Sequence, residues 1–222
     1  MIQRTSKQHI KEVLANNEFD VVDLGCSRGC WQEAQTAVDL DPQYESLYQD
    51  KKFVCSNVES TPFNNGEFDF AIASHIAEHV TSPDVFIEEL TRIAASGYIE
   101  VPAPLFDNMV FGNQYHHRWW VTFDDIEQSI IFRPQTSVLF EAFTIDEWNL
   151  FSYYFRESAV TELYWENTID YKILPEIPEP DIKITAAKTR FNQKLTQIIL
   201  TTLQDLGMEQ EEIGNYIDNL LG

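Results

Sequence analysis

The first hundred residues carry apolar positions in blocks whose period changes along the chain. In SKQHIKEVLANN, Ile10, Val13 and Leu14 recur at helical spacing. Short apolar runs follow at Phe19–Leu24, at 36–41 (TAVDLD), at 51–57 (KKFVCSN) and at 68–74 (FDFAIAS), the last behind an NNGE turn. Runs that are apolar on both alternating sets of positions predict strands covered on both faces. SPDVFIEELTRIAAS predicts a helix: Ser82 can cap it, Pro83 suits its first turn, and Phe86, Ile87, Leu90 and Ile93 make one apolar face. Gly97 is read as its end, with YIEV opening a fifth strand. Strands alternating with helical pieces predict an α/β fold built on a mostly parallel sheet with crossovers. The crossovers near 30–35 and 42–50 are short, and Pro42 lies in the second, so the flanking helices are expected to be stunted there.

After Pro102 the pattern changes. APLFDNMVFGNQYHHRWW has no clear period, WWVTFDD and SIIFRPQ read as hairpin strands, TIDEWNLFSYYF as a helix, and VTELYWENTIDYKIL as two strands around Asn167–Thr168. LPEIPEPD at 174–181 is a proline-rich linker. Beyond it, Phe191, Leu195, Ile198, Thr202 and Leu206 line one helix face, and Ile213, Tyr216, Ile217 and Leu220 a second. These helices need a surface to cover, either their own domain or another copy of the chain in a homodimer. The expected organisation is a core over 1–104, a substrate-side insertion and further strands of the same domain over 105–174, and a linker with a helical extension over 175–222.

Charge narrows the partners. The formal net charge of −21 over 222 residues, with no Lys/Arg cluster, repels phosphate backbones, so nucleic acid is not an expected partner. Cys26, Cys30 and Cys55 form no CxxC pair and read as buried thiols of a reducing compartment. No run of about 18 apolar residues predicts a membrane span, and the N-terminal stretch is too polar for a signal peptide. The expectation is an acidic cytoplasmic protein without a membrane partner.

Candidate chemistry starts at FDVVDLGCSRGCW. Gly25 and Gly29, just after the first of the parallel strands, let bare backbone turn and approach a ligand. Peptide N–H groups at the start of a following helix would favour a carboxylate, and Asp23 would suit an ammonium. Asp39 ends the next strand, where a carboxylate can accept from two vicinal ribose hydroxyls. Asn57 offers an acceptor and a donor to a heterocycle, and Val58 its peptide N–H. Amino acid, ribose and base in that order outline S-adenosylmethionine.

On these residues the chain resembles the class I S-adenosylmethionine-dependent methyltransferases, in their small type 11-like group, with a DxGxGxG stretch after the first strand. Asp23, Gly25 and Gly29 match it, and Ser27 stands at the middle glycine. AVDLDP is similar to the second motif, and SNVESTPF to the block GDAEDLPF, with Asn57 in place of its aspartate. FDFAIASHIAEHV, PDVFIEELTRI and GYIEVP complete the resemblance, which covers about residues 18–104. It implies a Rossmann-like sheet, S-adenosyl-L-methionine as cofactor, and cofactor contacts at Asp23, Gly25, Cys26, Ser27, Gly29, Asp39, Leu40, Asn57, Val58, Glu59 and Ser74. It also implies methyl transfer to a small-molecule acceptor; similarity to enzymes that modify sugars and polysaccharides points to a sugar hydroxyl.

Aligning donor and acceptor can supply roughly 7–11 kcal/mol, and a hydroxyl acceptor gains about 10²–10⁴ in rate from a general base. His75, His116 and His117 are the candidate bases, and Tyr115, Arg118 and Trp119 complete a polar–aromatic cluster expected to line the acceptor pocket. HIAEH spells the H-x-x-E-H pattern of an inverted zinc protease. That chemistry needs both histidines on one helix face, whereas the motif leaves a strand directly, so no metal is expected. A nicotinamide-dependent oxidoreductase would want glycine where Ser27 and Cys30 stand. An inactive module that keeps the S-adenosylmethionine pocket for regulation or interaction is the remaining alternative.

Overall fold

Val21, Val22, Asp23 and Leu24 are all buried, as a strand flanked by neighbours and covered on both faces must be. The computed structural model describes residues 1–107, 116–135 and 156–175, all within one unit, Met1–Ile177. In chain order its elements are β1 (Ile2–Arg4), α1 (Lys7–Ala15), β2 (Val21–Leu24), β3 (Thr36–Asp39), a 3₁₀ turn (Pro42–Leu47), β4 (Lys52–Cys55), β5 (Phe68–Ser74), α2 (Pro83–Ile93), β6 (Ala94–Pro102), α3 (Pro104–Asp107), β7 (Trp119–Asp124), β8 (Ser129–Pro134), α4 (Arg156–Ala159), β9 (Val160–Glu166) and β10 (Tyr171–Ile173).

Among the described residues the main sheet has seven strands in the order β1-β9-β6-β5-β2-β3-β4. From β6 to β4 the neighbours are parallel; β9 joins β6 antiparallel, and β1 joins β9 antiparallel. The mostly parallel α/β architecture is therefore as the sequence predicts. On one face Val21, Phe70, Ile72 and Tyr98 pack with Ile10 and Leu14 of α1 and with Trp31. On the other, Val22, Leu24, Ala71, Ile99 and Leu163 pack with Phe86, Ile87, Leu90 and Ile93 of α2, the apolar stripe read from the sequence. The same core takes in Val121, Ile130 and Phe132 of a second sheet, of order β10-β8-β7.

Several expectations are corrected. No α-helix stands between β2 and β3, and only a 3₁₀ turn stands between β3 and β4, so the short crossovers are indeed stunted. The helix-start reading of the peptide groups after Asp23 has no helix to rest on. Gly97 does not end α2; it lies inside β6, where an added Cβ would meet the Ala71 carbonyl oxygen and lie 2.7 Å from Trp165 Nε1. Close packing of the Trp165 indole, not a cap, requires the glycine. Ser82 makes no side-chain cap bond to α2; Glu59, from far upstream, takes that place. The two strands read around Asn167–Thr168 are present as β9 and β10, and they join different sheets: β9 runs beside β6, and β10 runs parallel to β8. Cys26 is buried, but Cys55 is exposed on the edge strand β4. The helix read over TIDEWNLFSYYF and the C-terminal helices lie outside the described residues.

Candidate active site

The parallel strands bring their carboxyl ends to one edge, where the loops after β2, β3, β4 and β5 meet. After β2 the chain turns through two residues in the left-handed region, Gly25 (φ 74°) and Ser27 (φ 45°). Gly25 is required there: a Cβ would fall 2.7 Å from Ile76 Cδ1, in a conformation side chains rarely adopt. Gly29 is different. Its φ is ordinary, and a Cβ would meet nothing within 4 Å.

The peptide groups of this loop are almost all engaged within the chain. Gly25 and Cys26 N–H donate to the Val38 carbonyl, and Gly29 N–H to the Cys26 carbonyl. Ser27 N–H donates to Asp39 Oδ2 (2.8 Å), Cys30 N–H to the Tyr48 hydroxyl (3.3 Å) and Trp31 N–H to Asp23 Oδ2 (2.8 Å). Arg28 alone in this run has an N–H without a partner among the described residues. Tyr48, which no sequence motif singles out, in turn donates its hydroxyl to the Ser27 carbonyl at 2.6 Å and ties the loop to the segment after β3.

Asp23 is 2% exposed. Burial pushes its carboxyl up to about 6, against the Trp31 N–H and the Cys30 thiol, which pull it down. It is thus enclosed beneath the loop rather than open to an ammonium. Asp39 is only partly buried. Its Oδ1 accepts from Asp41 N–H at 2.9 Å, and each of its oxygens keeps a further lone pair for a diol. Leu40 is 70% exposed beside it. Asn57 Oδ1 accepts from Glu59 N–H (3.0 Å), an Asx turn that leaves the amide exposed, while the Val58 side chain joins the core. Glu59 accepts from Thr81 and Ser82 N–H, at 3.1 and 2.7 Å, and so caps α2.

A second cluster lies at the ends of β5 and β6, where Ser74 pairs in register with Glu100. His75 also takes positive φ, 54°. Its Nε2 is 2.9 Å from Glu100 Oε1 and its Nδ1 is 3.4 Å from Glu78 Oε1. Burial works against its charge, but the bond to Glu100 and the Glu78 carboxylate outweigh it and bring the imidazole up to about 9. Glu100, 2% exposed, is pushed up by burial and held down more strongly by His75, Lys7 and Tyr98, to about 2. Arg156 Nη2 lies 2.6 Å from Glu100 and 3.2 Å from Glu162. The Tyr98 hydroxyl lies between the same two carboxylates, at 2.6 and 2.7 Å. At neutral pH His75 is therefore an imidazolium held by carboxylates. A ring that already carries its proton argues against the role of base and for that of a positive anchor.

Beyond His75 the chain does not form the helix an inverted zinc protease needs; it bends at His75 and turns over 77–79. This loop is stitched to the start of β7. Arg118 and Trp119 N–H both donate to the Glu78 carbonyl, and the Trp119 indole N–H donates to the Val80 carbonyl. His79 and His117 thereby meet edge to face, with ring centroids 4.5 Å apart. His117 Nδ1 lies 2.6 Å from Asp107 Oδ1, and His79 Nδ1 3.0 Å from the His116 carbonyl. The His116 imidazole and Arg118 are exposed, and Tyr115 lies outside the described residues.

Residues 22–99 match the methyltransferase domain family. With the parallel sheet and the acidic strand ends just described, this segment is a class I S-adenosylmethionine-dependent methyltransferase domain, and S-adenosylmethionine is its cofactor. Its residues fit that ligand best at the ribose, where Asp39 keeps lone pairs free, and at Gly29, which opens onto unfilled space. No curated protein matches the sequence. Solved structures similar to the chain include a protein from Listeria monocytogenes described as an S-adenosylmethionine-dependent methyltransferase, with 18% identity over 45% of this chain and 55% of that one (TM-score 0.38). The chain thus spans about half the length of that protein. A protein from Thermotoga maritima described as a SAM-dependent methyltransferase shows 13% identity over 72% and 86% of the two chains (TM-score 0.45). A Haloferax volcanii methyltransferase solved with a methyltransferase activator shows 16% identity over 71% and 88% (TM-score 0.42). No helix among the described residues is long and apolar enough to cross a membrane.

Proposed function

We propose that the domain transfers the methyl group of S-adenosylmethionine to a hydroxyl of a small molecule, with a sugar or a polysaccharide precursor the preferred class. The observation that carries the reading is the Asp39 carboxylate, clamped by Ser27 N–H at the end of β3 with a lone pair left on each oxygen. A fixed acceptor of that kind selects a vicinal diol over a lone hydroxyl. In this reading Asp39 holds the ribose, Leu40 and the Asn57–Val58 edge flank the base, and the amino-acid end lies over Gly25–Gly29 near the Arg28 N–H. Cys26 supports that loop from beneath, and Asp23 sets its shape through Trp31. Glu59 acts one layer back, by fixing α2.

The sulfonium supplies an already activated methyl group, so this chain's residues have chiefly to hold acceptor and donor in line. Ser74 and His75 end β5 at the edge where the transfer takes place, and the His75 imidazolium presents a positive charge suited to anchoring an electron-rich acceptor. Trp119, half-buried and fixed through its indole N–H, offers a flat face to a sugar, with Arg118 exposed next to it.

The loop after β2 also favours a second reading, an inactive S-adenosylmethionine-binding module, because its peptide donors are engaged by the chain itself rather than aimed outward. One experiment separates the two. Calorimetry with S-adenosylmethionine, its demethylated product and a nicotinamide dinucleotide control should show binding of the first two alone. Turnover on a panel of sugar nucleotides and free sugars should then follow. Binding with no turnover on any of them selects the module, and binding of the dinucleotide alone overturns both readings.

A further inference from the structure

Glu78 is 1% exposed. Neither of its carboxylate oxygens receives a hydrogen bond among the described residues; the nearest cationic group is His75 Nδ1, 3.4 Å from Oε1. The His75 imidazolium supplies one compensating charge, but a buried carboxylate also calls for donors, and neither oxygen has one among the described residues. Close by are two imidazoles. Glu78, His79 and His117 each present a ligand atom within 4.8 Å of those of the other two.

The contacts of both histidines suit the tautomer that metal binding requires. His117 Nδ1 faces the Asp107 carboxylate at 2.6 Å, and His79 Nδ1 faces the His116 carbonyl at 3.0 Å. With the ring proton on Nδ1 in both, each Nε2 carries a lone pair. Carboxylate or carbonyl behind Nδ1 and a free Nε2 in front is the arrangement found behind metal-bound histidines.

We propose that Glu78, His79 and His117 bind one divalent transition-metal ion, with zinc the ion that two imidazoles and a carboxylate suit. The ligand atoms of a tetrahedral zinc shell lie about 3.3 Å apart, so small side-chain rotations close the set. Three protein ligands leave a fourth position for water or for an oxygen of a bound molecule. The metal fastens the loop after β5 to the segment entering β7, the same two stretches already joined through the Glu78 carbonyl. Metal binding here does not depend on which acceptor the domain methylates, nor on whether it methylates any.

The site differs from the linear H-x-x-E-H reading of HIAEH. His75 is not a ligand, since both its ring nitrogens face carboxylates; the second imidazole comes from His117, well down the chain.

The test uses the full chain, stripped with a chelator and titrated with zinc alone. One zinc per chain is expected, with a melting temperature that rises with zinc concentration. Asp107→Asn should weaken zinc binding by about 10–100-fold, and Glu78→Gln and His117→Ala by more. His9→Ala, at an exposed histidine of α1, should bind as the parent does. Cobalt(II) provides a second readout that needs no variant: a shell of four or five ligands gives intense visible bands, and a site holding only hydrated ion does not. No zinc taken up, cobalt spectra of the hydrated ion, or zinc retained equally in Glu78→Gln and His9→Ala would each overturn the site.

Discussion

The loops after β2 and β5 start from the same device, a residue with positive φ at the carboxyl end of a buried parallel strand, and use their polar groups in opposite ways. After β2, Gly25 turns the chain and the N–H groups of 25–31, Arg28 excepted, are satisfied from within by Val38, Asp39, Tyr48, Cys26 and Asp23. After β5, His75 turns the chain and leaves Glu78 buried with no hydrogen bond to its carboxylate. The first loop is finished before any ligand arrives, whereas the second is completed by what it binds. A satisfied loop offers shape and a few exposed acceptors; an unsatisfied one offers charge.

The largest effect expected from probing this contrast is at Asp39. With Asp39 holding the ribose as proposed, Asp39→Ala would remove two charge-assisted bonds to that diol as well as the clamp on Ser27. At about 1.5–3 kcal/mol for each bond to a charged group, S-adenosylmethionine affinity measured by calorimetry should fall at least about 100-fold.

Asp23 tests whether the first loop holds strain. Its carboxyl titrates near 6 in the fold, against a normal 3.8. The folded state therefore holds the proton more tightly, and stability falls as pH rises between about 4 and 6. The penalty is complete above that window and absent below it. Asp23→Asn, which keeps an acceptor for Trp31 N–H, should be more stable than the parent by about 1–3 kcal/mol at pH 8. Denaturant melts should show that gain vanish by about pH 4.

A similar size is expected at Gly25. Gly25→Ala forces a side chain into Ile76 at positive φ and should destabilise by about 1–3 kcal/mol. Glu59→Ala, which strips the cap from α2, should cost about 1 kcal/mol in the same melts. Gly29→Ala is the smallest and sharpest change. Nothing in the protein touches the new methyl group, so stability should move by less than about 0.5 kcal/mol. If the ligand's amino-acid end lies there, its affinity should fall all the same; unchanged binding would place that end elsewhere.

What the sequence made legible follows from the reach of each interaction. β2, β3 and β5 could be read because burial on both faces writes a continuous apolar run, and α2 because one helix face writes a period. Asp39 could be read as a partly exposed acid at a strand end because it closes such a run. β1 spans Ile2–Arg4; it is too short for a pattern and is fixed only by its partner, β9. Gly97 looked like a helix end because its need for closeness comes from Trp165, far away in the chain. Glu59 and Ser82 changed places as cap for the same reason. His79 was visible only in a local motif with His75, since nothing near it in the chain announces His117.

The carbonyl of Glu78, shared by two donors from the start of β7, has a mechanical consequence. It closes the chain from 78 to 119 into a buckled belt that contains α2 and β6, so tension on the segment entering β7 is delivered directly to the end of β5. A molecule gripping Trp119 would in that way pull on the turn that leaves β5, and a load on one segment would be felt at the other.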